Sequence, residues 1–424
     1  MKTYEAYKDS GIEWIGEIPV HWELKKLKYS FYLIMGQSPN SIDCNSNGNG
    51  IPFLQGNADF NSKHPHPVSW CKKPAKIAPK GSVLISVRAP IGAVNVADQE
   101  YCIGRGLCAL CSKIPSFLYY HAICLNQELN SLGTGSTFKA VSAEQVSNTF
   151  TIIPPLPEQT AIASYLDRKT AEIDQLITDK KRLLELYEEE KTAIINQAVT
   201  KGLNPDAPMK DSGIEWLGEI PEHWEVKKIG YCARVVRGSS PRPTGDPRYF
   251  MGNYMHWITV KEVTNAKGKY IVDTEEFLTE AGSKLSRIVE PDTLLLSNSG
   301  ATLGVPKITK IKGCINDGSV AFPVLKSFLD KDYLFYFFVS HTNIYREQMK
   351  GNGQPNLNTE IIKSTITAFP STKVEQQSIV YHIETECARI NTQIERTNRL
   401  IELLTEYRTA LINEVVTGKI KVTE

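Results

Sequence analysis

Apolar residues recur at heptad spacing along two long stretches that contain no Gly or Pro beyond their opening residues. In the first, from about 154 to Lys201, Leu166, Ile173, Tyr187 and Ile194 share one heptad position, with Lys180 interrupting the row. Ile177, Leu184 and Ala198 lie four residues after members of that row. In the second, from about 370 to Thr417, Ile383, Ile390, Leu404 and Leu411 alternate with Ile394, Ile401 and Val415. This spacing predicts two long helices that pair as a coiled coil rather than two unrelated surface helices. A helix of about 43 residues spans about 65 Å at 1.5 Å per residue, too long for the interior of one small domain. Pro154-Pro155-Leu156-Pro157-Glu158-Gln159 opens the first stretch and Pro370-Ser371-Thr372-Lys373-Val374-Glu375-Gln376 the second. Pro followed by an acidic residue in the first turn is an N-terminal helix signal.

Outside these stretches the pattern shortens to strand-like runs bounded by Gly, Pro and Asn, such as Ser82–Val87 and Thr293–Ser297. Helical periodicity returns near Ser116–Leu129 and Asp332–Met349. The two regions agree in outline: a strand, then Ala89-Pro90-Ile91-Gly92 against Ala301-Thr302-Leu303-Gly304, a helix, and a Gly-x-Gly loop. The predicted fold class is α/β (α+β), with two similar mixed domains separated by two long helices. Predicted boundaries are 1–155, 156–205 for the first helix, 206–370, and 371–424 for the second helix. If a pseudo-twofold axis relates the two domains, the helices run antiparallel.

A direct repeat marks the start of each domain. Lys8 to Tyr29 returns 202 positions later as Lys210 to Tyr231, with 17 of 22 positions identical and two Trp in each copy. The shared core is Asp-Ser-Gly-Ile-Glu-Trp-x-Gly-Glu-Ile-Pro-x-His-Trp. Trp14, Trp22, Trp216 and Trp224 read as docking aromatics rather than a base-stacking platform.

A chain of 424 residues is too long for one ordinary core and suits two domains with connecting elements. The polar start and the lack of a long apolar run point away from a signal peptide or membrane span, and the nine scattered Cys point to reduced thiols in a cytoplasmic setting. The net charge of +1 hides a contrast. Residues 24–153 carry 12 Lys+Arg against 6 Asp+Glu, and 226–369 carry 19 against 13, whereas the remainder carries 17 against 28. Two basic blocks on acidic connectors suit two polyanion-binding modules.

Catalytic motifs are largely missing. There is no phosphate-loop motif, and Gly133-Thr134-Gly135 and Gly351-Asn352-Gly353 lack the third Gly of a dinucleotide fingerprint. No Asn/Asp-Pro-Pro-aromatic motif is present. Cys108-x-x-Cys111 has no second ligand pair at zinc spacing and reads as a strand with buried thiols. A nuclease-like Pro205-Asp206 with Glu225-Val226-Lys227 has no upstream Pro-Asp in the first copy of the repeat. The loops of the basic blocks instead hold side chains suited to DNA. Candidate DNA-binding residues are Arg88, Arg105, Thr134, Ser136 and Lys139 in the first block, and Lys261, Asn298, Asn316, Gln354, Asn356 and Asn358 in the second. Arg reads guanine, Asn and Gln read adenine, and Lys, Ser and Thr reach phosphates. Ordinary turn chemistry is the competing explanation for the Asn and Ser.

Together, the duplicated Trp segment, Pro154–Gln159 before a long helix, the runs Val83–Gly92 and Leu294–Gly304, and Gly353-Gln354-Pro355-Asn356-Leu357-Asn358 resemble the specificity subunit of type I restriction-modification enzymes. The likeness covers nearly the whole chain. It implies two target-recognition domains, each binding half of a split asymmetric site in double-stranded DNA. It also implies helical spacers that set the half-site separation and dock two modification (methyltransferase) subunits, with restriction/translocase subunits joining the complex. S-adenosylmethionine, ATP and Mg²⁺ would belong to those partners, leaving this chain non-catalytic and without a cofactor. The second helix departs from Pro-Pro-Leu-Pro-Glu-Gln, which leaves its first residue open. A metal-dependent DNA nuclease and an assembly adaptor that does not read DNA are the alternatives.

Overall fold

Each heptad stretch forms one unbroken helix, Leu156–Lys201 of 46 residues and Lys373–Val416 of 44. The computed structural model describes residues 2–134, 139–300, 302–348 and 356–423. It divides into two units, Met1–Lys181 with Asn398–Glu424, and Arg182–Thr397. The division falls inside both helices, so each unit holds part of each.

In the first unit Ile162, Leu166 and Ile173 share a core with Leu411, Ile412 and Val415. In the second, Ile195, Ala198 and Val199 share one with Ile379, Val380 and Ile383. The start of one helix therefore accompanies the end of the other, an antiparallel pairing. An ion pair flanks each core: Arg408 donates to Asp174 at 3.2 Å, and Arg389 to Glu190 at 2.8 Å. Ile195 is buried where the heptad predicts Ile194, which is half-buried. An α-helix turns in 3.6 residues, so a strict seven-residue register drifts along it.

The first unit contains a four-stranded antiparallel sheet in the order Val94–Val96, Val83–Ser86, Leu107–Cys111, Tyr32–Met35. Its second sheet runs Cys44–Asn45, Ser69–Cys71, Ile51–Leu54, Tyr101–Ile103, Ile77–Ala78. Val83–Ser86 is buried throughout because it is covered on both faces. Val83 and Ile85 pack with Phe117 and Leu118 of the helix Pro115–Cys124, and Leu84 packs with Leu54, Tyr101 and Ile103 of the other sheet. Alternation with period two sends neighbouring side chains into different layers. The second unit repeats this layering, with five strands in the helix-covered sheet and four in the other. Leu294 and Leu296 face Tyr333, Leu334 and Phe338 of the helix Lys331–Gln348, and Leu295 faces Ile258 and Ile315.

The single helix predicted near Ser116–Leu129 is two, Pro115–Cys124 and Asn126–Leu132. At the break, the Asn126 amide turns to the Gly92 carbonyl at 2.9 Å. Cys108 and Cys111 lie on one strand, both as free thiols, and burial pushes Cys108 up to about 12.

The repeated segment closes each unit at the root of a long helix. Glu23–Lys26 pairs with Phe150–Ile153, and Trp224–Lys228 with Ile366–Pro370. Trp22 and Trp224 are fully buried. Trp22 donates its indole N–H to Glu158 at 3.0 Å, and Trp224 does the same to Glu375 at 3.0 Å. One residue on, the Gln159 amide donates to Pro154 O at 2.8 Å and Gln376 to Pro370 O at 2.9 Å. The second helix thus starts in the same register as the first, with Glu at its third residue and Gln at its fourth, despite its shorter proline signature.

Candidate nucleic-acid interface

In each unit the loops that follow four strands meet at one end of the sheets, and main-chain hydrogen bonds fix how they meet. In the first unit, Gly36 N–H donates to Leu107 O at 2.9 Å, Gln37 N–H to Ile103 O at 2.9 Å, Val87 N–H to Gly106 O at 2.9 Å and Gly104 N–H to Leu54 O at 2.8 Å. The second unit makes the same set. Gly238 N–H donates to Ser319 O at 2.9 Å, Ser239 N–H to Ile315 O at 3.0 Å, Asn298 N–H to Gly318 O at 3.0 Å and Asn316 N–H to Ile258 O at 3.1 Å. A Cβ on Gly36 would lie 2.2 Å from Gly104 O, and one on Gly238 2.0 Å from Asn316 O. Only glycine allows this approach.

These bonds align the loops residue by residue. Gly36-Gln37-Ser38-Pro39 matches Gly238-Ser239-Ser240-Pro241, Gln55 matches Thr259, and Gly104-Arg105-Gly106 matches Asn316-Asp317-Gly318. Val87-Arg88 matches Asn298-Ser299, because Val141 N–H donates to Val87 O at 2.9 Å and Leu357 N–H to Asn298 O at 2.7 Å. The frames agree and the side chains differ, which suits two readers of different sequences.

In the first unit Arg88 and Arg105 line one open groove of about 310 Å³ with Ser38, Gln55, Asn57 and Asp59. Both arginines are exposed, and Arg105 Nε donates to Ser38 Oγ at 3.4 Å. Asp59 is occupied in accepting the Gln55 N–H at 2.9 Å. Thr134 pairs with Ala140 through two main-chain bonds of 3.0 and 3.1 Å, Arg88 bridges to Ala140, and Lys139 O accepts from Ala89 N–H at 3.1 Å. Arg88, Arg105, Thr134 and Lys139 thus belong to one loop cluster, while Ser136 lies outside the described residues. Guanidinium groups beside amide and hydroxyl side chains can bind phosphates and read base edges.

The second-unit candidates separate. Asn358 caps the helix Thr359–Ser364, its side chain accepting from Ile361 N–H at 2.9 Å. Asn316 accepts from Ser319 Oγ at 3.2 Å within its own turn. Asn298 is fully buried at the position matching Val87. Lys261 pairs with Glu275 at 2.5 Å, which raises the ammonium above its ordinary range. Lys261 lines a surface concavity that its neighbours Glu262, Asp273 and Glu275 make acidic. Asn356 is exposed and bridges to Ser299; Gln354 lies outside the described residues.

Ser38, Gln55 and Asn57 join the first cluster, and Arg242 with its partner Asp317 joins the second, beyond the candidates predicted from sequence. Arg242 donates to Asp317 Oδ2 at 3.1 Å, Ser240 donates to Asp317 Oδ1 at 2.6 Å, and Arg237 Nε donates to Asp317 O at 2.8 Å. Ser38 and its counterpart Ser240 carry a sequence signal, because the Gly-x-Ser-Pro segments recur at the same 202-residue spacing as the Trp repeat. Among the described residues, no group of three or more His, Cys, Asp or Glu is placed to hold a metal ion, and no helix is long and apolar enough to cross a membrane.

Residues 19–186 and 221–403 each match the type I restriction modification DNA specificity domain. Over 204 residues, 46% of each chain, the sequence is 42% identical to a Methanocaldococcus jannaschii protein named for a type I restriction enzyme specificity subunit, MjaX. It is 24% identical to the MjaIX type I specificity subunit of the same organism over 97% of this chain and 96% of that one. A solved structure described under complex assembly and conformational transition of a type I R-M system shares the fold, with a TM-score of 0.73 at 15% identity over 95% of this chain and 99% of that one. The HsdS subunit from Thermoanaerobacter tengcongensis aligns with a TM-score of 0.56 at 16% identity, over 95% and 98%. With both halves matched, the chain belongs to the type I restriction-modification DNA specificity family.

Proposed function

We propose that the chain is the non-catalytic DNA-specificity subunit of a cytoplasmic type I restriction-modification complex, each unit binding one half of a split, asymmetric site in double-stranded DNA. The observation that carries this reading is the matched pair of loop clusters, held by the same hydrogen bonds but lined by different side chains. Exposed Lys and Arg supply a salt-dependent phosphate contribution, and groove side chains discriminate among bases. The two long helices set the half-site separation and dock two modification subunits. Restriction/translocase subunits join through the complex, and S-adenosylmethionine, ATP and Mg²⁺ are supplied by those partners.

The test is to map methylated bases in DNA from cells expressing this chain with its modification subunits. A split motif is expected, and exchanging residues 24–153 for the same block of another family member should change one half only. A continuous motif, or sequence-independent binding that vanishes as salt is raised, would leave the adaptor reading. Cleavage of DNA by the isolated chain with Mg²⁺ would establish the nuclease instead.

A further inference from the structure

The two loop clusters differ by a charge inversion. Arg105 sits in the first unit's Gly104-Arg105-Gly106 turn, and Asp317 takes its place in Asn316-Asp317-Gly318. The partner serine is retained, since Arg105 donates to Ser38 Oγ and Asp317 accepts from Ser240 Oγ. A carboxylate at this point would repel a phosphate backbone unless a cation were held beside it. Arg242 is that cation. It arrives from the loop after the strand Ala233–Arg237, and its side chain is 69% exposed. Asp317 Oδ2 accepts from one terminal nitrogen at 3.1 Å, and Thr244 Oγ1 accepts from the other at 2.8 Å. A guanidinium has five N–H donors in a planar fork, so two anchored donors fix its orientation and leave donors for a ligand.

We infer that Arg242 is the guanine-reading side chain of the second unit and that Asp317 is its positioning residue, the guanidinium having moved from the turn to the neighbouring loop. This rests on the reading that each unit recognises one half-site. The fork matches the O6 and N7 acceptors of guanine in the major groove, whereas a loose surface arginine would serve a phosphate equally well. Asp317 therefore acts through Arg242.

The full chain, assembled with its modification subunits, is tested on duplex oligonucleotides carrying the mapped methylation site and single base-pair changes within it. Arg242→Ala should cut discrimination at one G·C pair of one half-site by about tenfold or more. Arg242→Lys should fail to restore it, because an ammonium cannot bind bidentately. Asp317→Asn keeps an acceptor for Ser240 but loses the charge pair; it should erode discrimination at that same base pair while the unfolding temperature stays put. Arg105→Ala should affect only the opposite half-site. Equal weakening on every duplex, with the salt slope reduced by about one, would make Arg242 a phosphate contact and overturn the inference. So would Asp317 variants that alter a different base pair. Absence of any split motif would sink the parent reading, whereas a split motif indifferent to Arg242 sinks this inference alone.

Discussion

The indole N–H of Trp22 meets the Glu158 carboxylate at 3.0 Å, joining the repeated segment to the first turn of the long helix. Tyr4 donates to the same oxygen at 2.8 Å, and His21 Nε2 lies 2.6 Å from the other. Burial alone would raise the Glu158 carboxyl, but hydrogen bonds from Trp22, His21 and Tyr4 outweigh it and hold the group below its ordinary value. Glu158→Ala strands the buried Trp22 donor and should cost about 1–3 kcal/mol in chemical denaturation. Glu158→Gln, which keeps an acceptor, should cost less. Because the folded-state value is depressed, this contribution is present above the unfolded pKa near 4.5 and is lost as pH falls below it.

A second acid sensitivity lies at higher pH. Burial lowers His121 to about 4, and burial lowers His341 to about 4 against a smaller opposing effect of the Phe337 carbonyl. The unfolded chain takes up a proton near 6.5 while the folded one does not. Stability is therefore complete above about 6.5 and declines as pH falls toward 4, by about 3 kcal/mol for each histidine. His341→Leu should flatten part of that slope without touching the Glu158 window. Denaturation midpoints followed from pH 7 through both windows to below the Glu158 value would check both, and an unchanged slope in the variant would remove His341 as a cause.

Cations of the two units divide their labour: Arg88 and Arg105 line the first unit's groove, and Lys261 lies in an acidic concavity of the second. Arg88→Ala and Arg105→Ala should each weaken the same half-site, by about 1–3 kcal/mol where a bidentate base contact is lost. Lys261→Ala should leave affinity nearly unchanged, because Glu275 already pairs with the ammonium and acidic side chains surround it. Competition binding with duplexes altered in one half at a time distinguishes these outcomes. A large loss at Lys261 would mean that DNA displaces Glu275.

Asn358 carries the opposite expectation to a base reader. Its side chain accepts from Ile361 N–H at the start of Thr359–Ser364, as Ser142 accepts from Gln145 N–H before Ala143–Asn148. Asn358→Ala should cost about 1 kcal/mol of stability, the usual loss for an N-cap, and leave base preference intact. Asn358→Ser should restore most of the stability. A changed methylation motif in Asn358→Ala would return this residue to the interface.

Periodicity made the layers legible and left the loops ambiguous. Val83–Ser86, Leu294–Ser297 and the two long helices stand out because burial imposes a regular apolar spacing. The helical root was legible as a repeat, yet its purpose was not, since Trp22 and Glu158 are 136 residues apart. In the loops, Asn serves equally as cap, turn or reader. Asn358 and Asn316 spend their side chains locally, which spacing alone does not reveal. Arg242 is not legible in the sequence because its partner Asp317 lies 75 residues away and looks like a turn residue. Only the main-chain bonds that align Asn316–Gly318 with Gly104–Gly106 disclose the exchange of charge.

That alignment rests on two glycines, and they give the sharpest structural test. A Cβ at 238 would sit 2.0 Å from Asn316 O, a backbone atom that cannot swing aside as a side-chain tip would. Gly238→Ala must therefore push the Ser239–Ser240 loop away from Asn316–Gly318, lengthening the Ser239 N–H to Ile315 O bond and the Ser240 link to Asp317. Overpacking of this kind costs about 1–3 kcal/mol. The second half-site should lose discrimination while the first keeps it, and Gly36→Ala should produce the reverse, as its Cβ would meet Gly104 O at 2.2 Å. Amide hydrogen exchange at residues 238–240 and 316–318, measured beside half-site competition, reads both effects. Normal protection with lost discrimination would show that the glycine serves DNA access rather than loop placement, and loss at both half-sites would deny that the two clusters work separately.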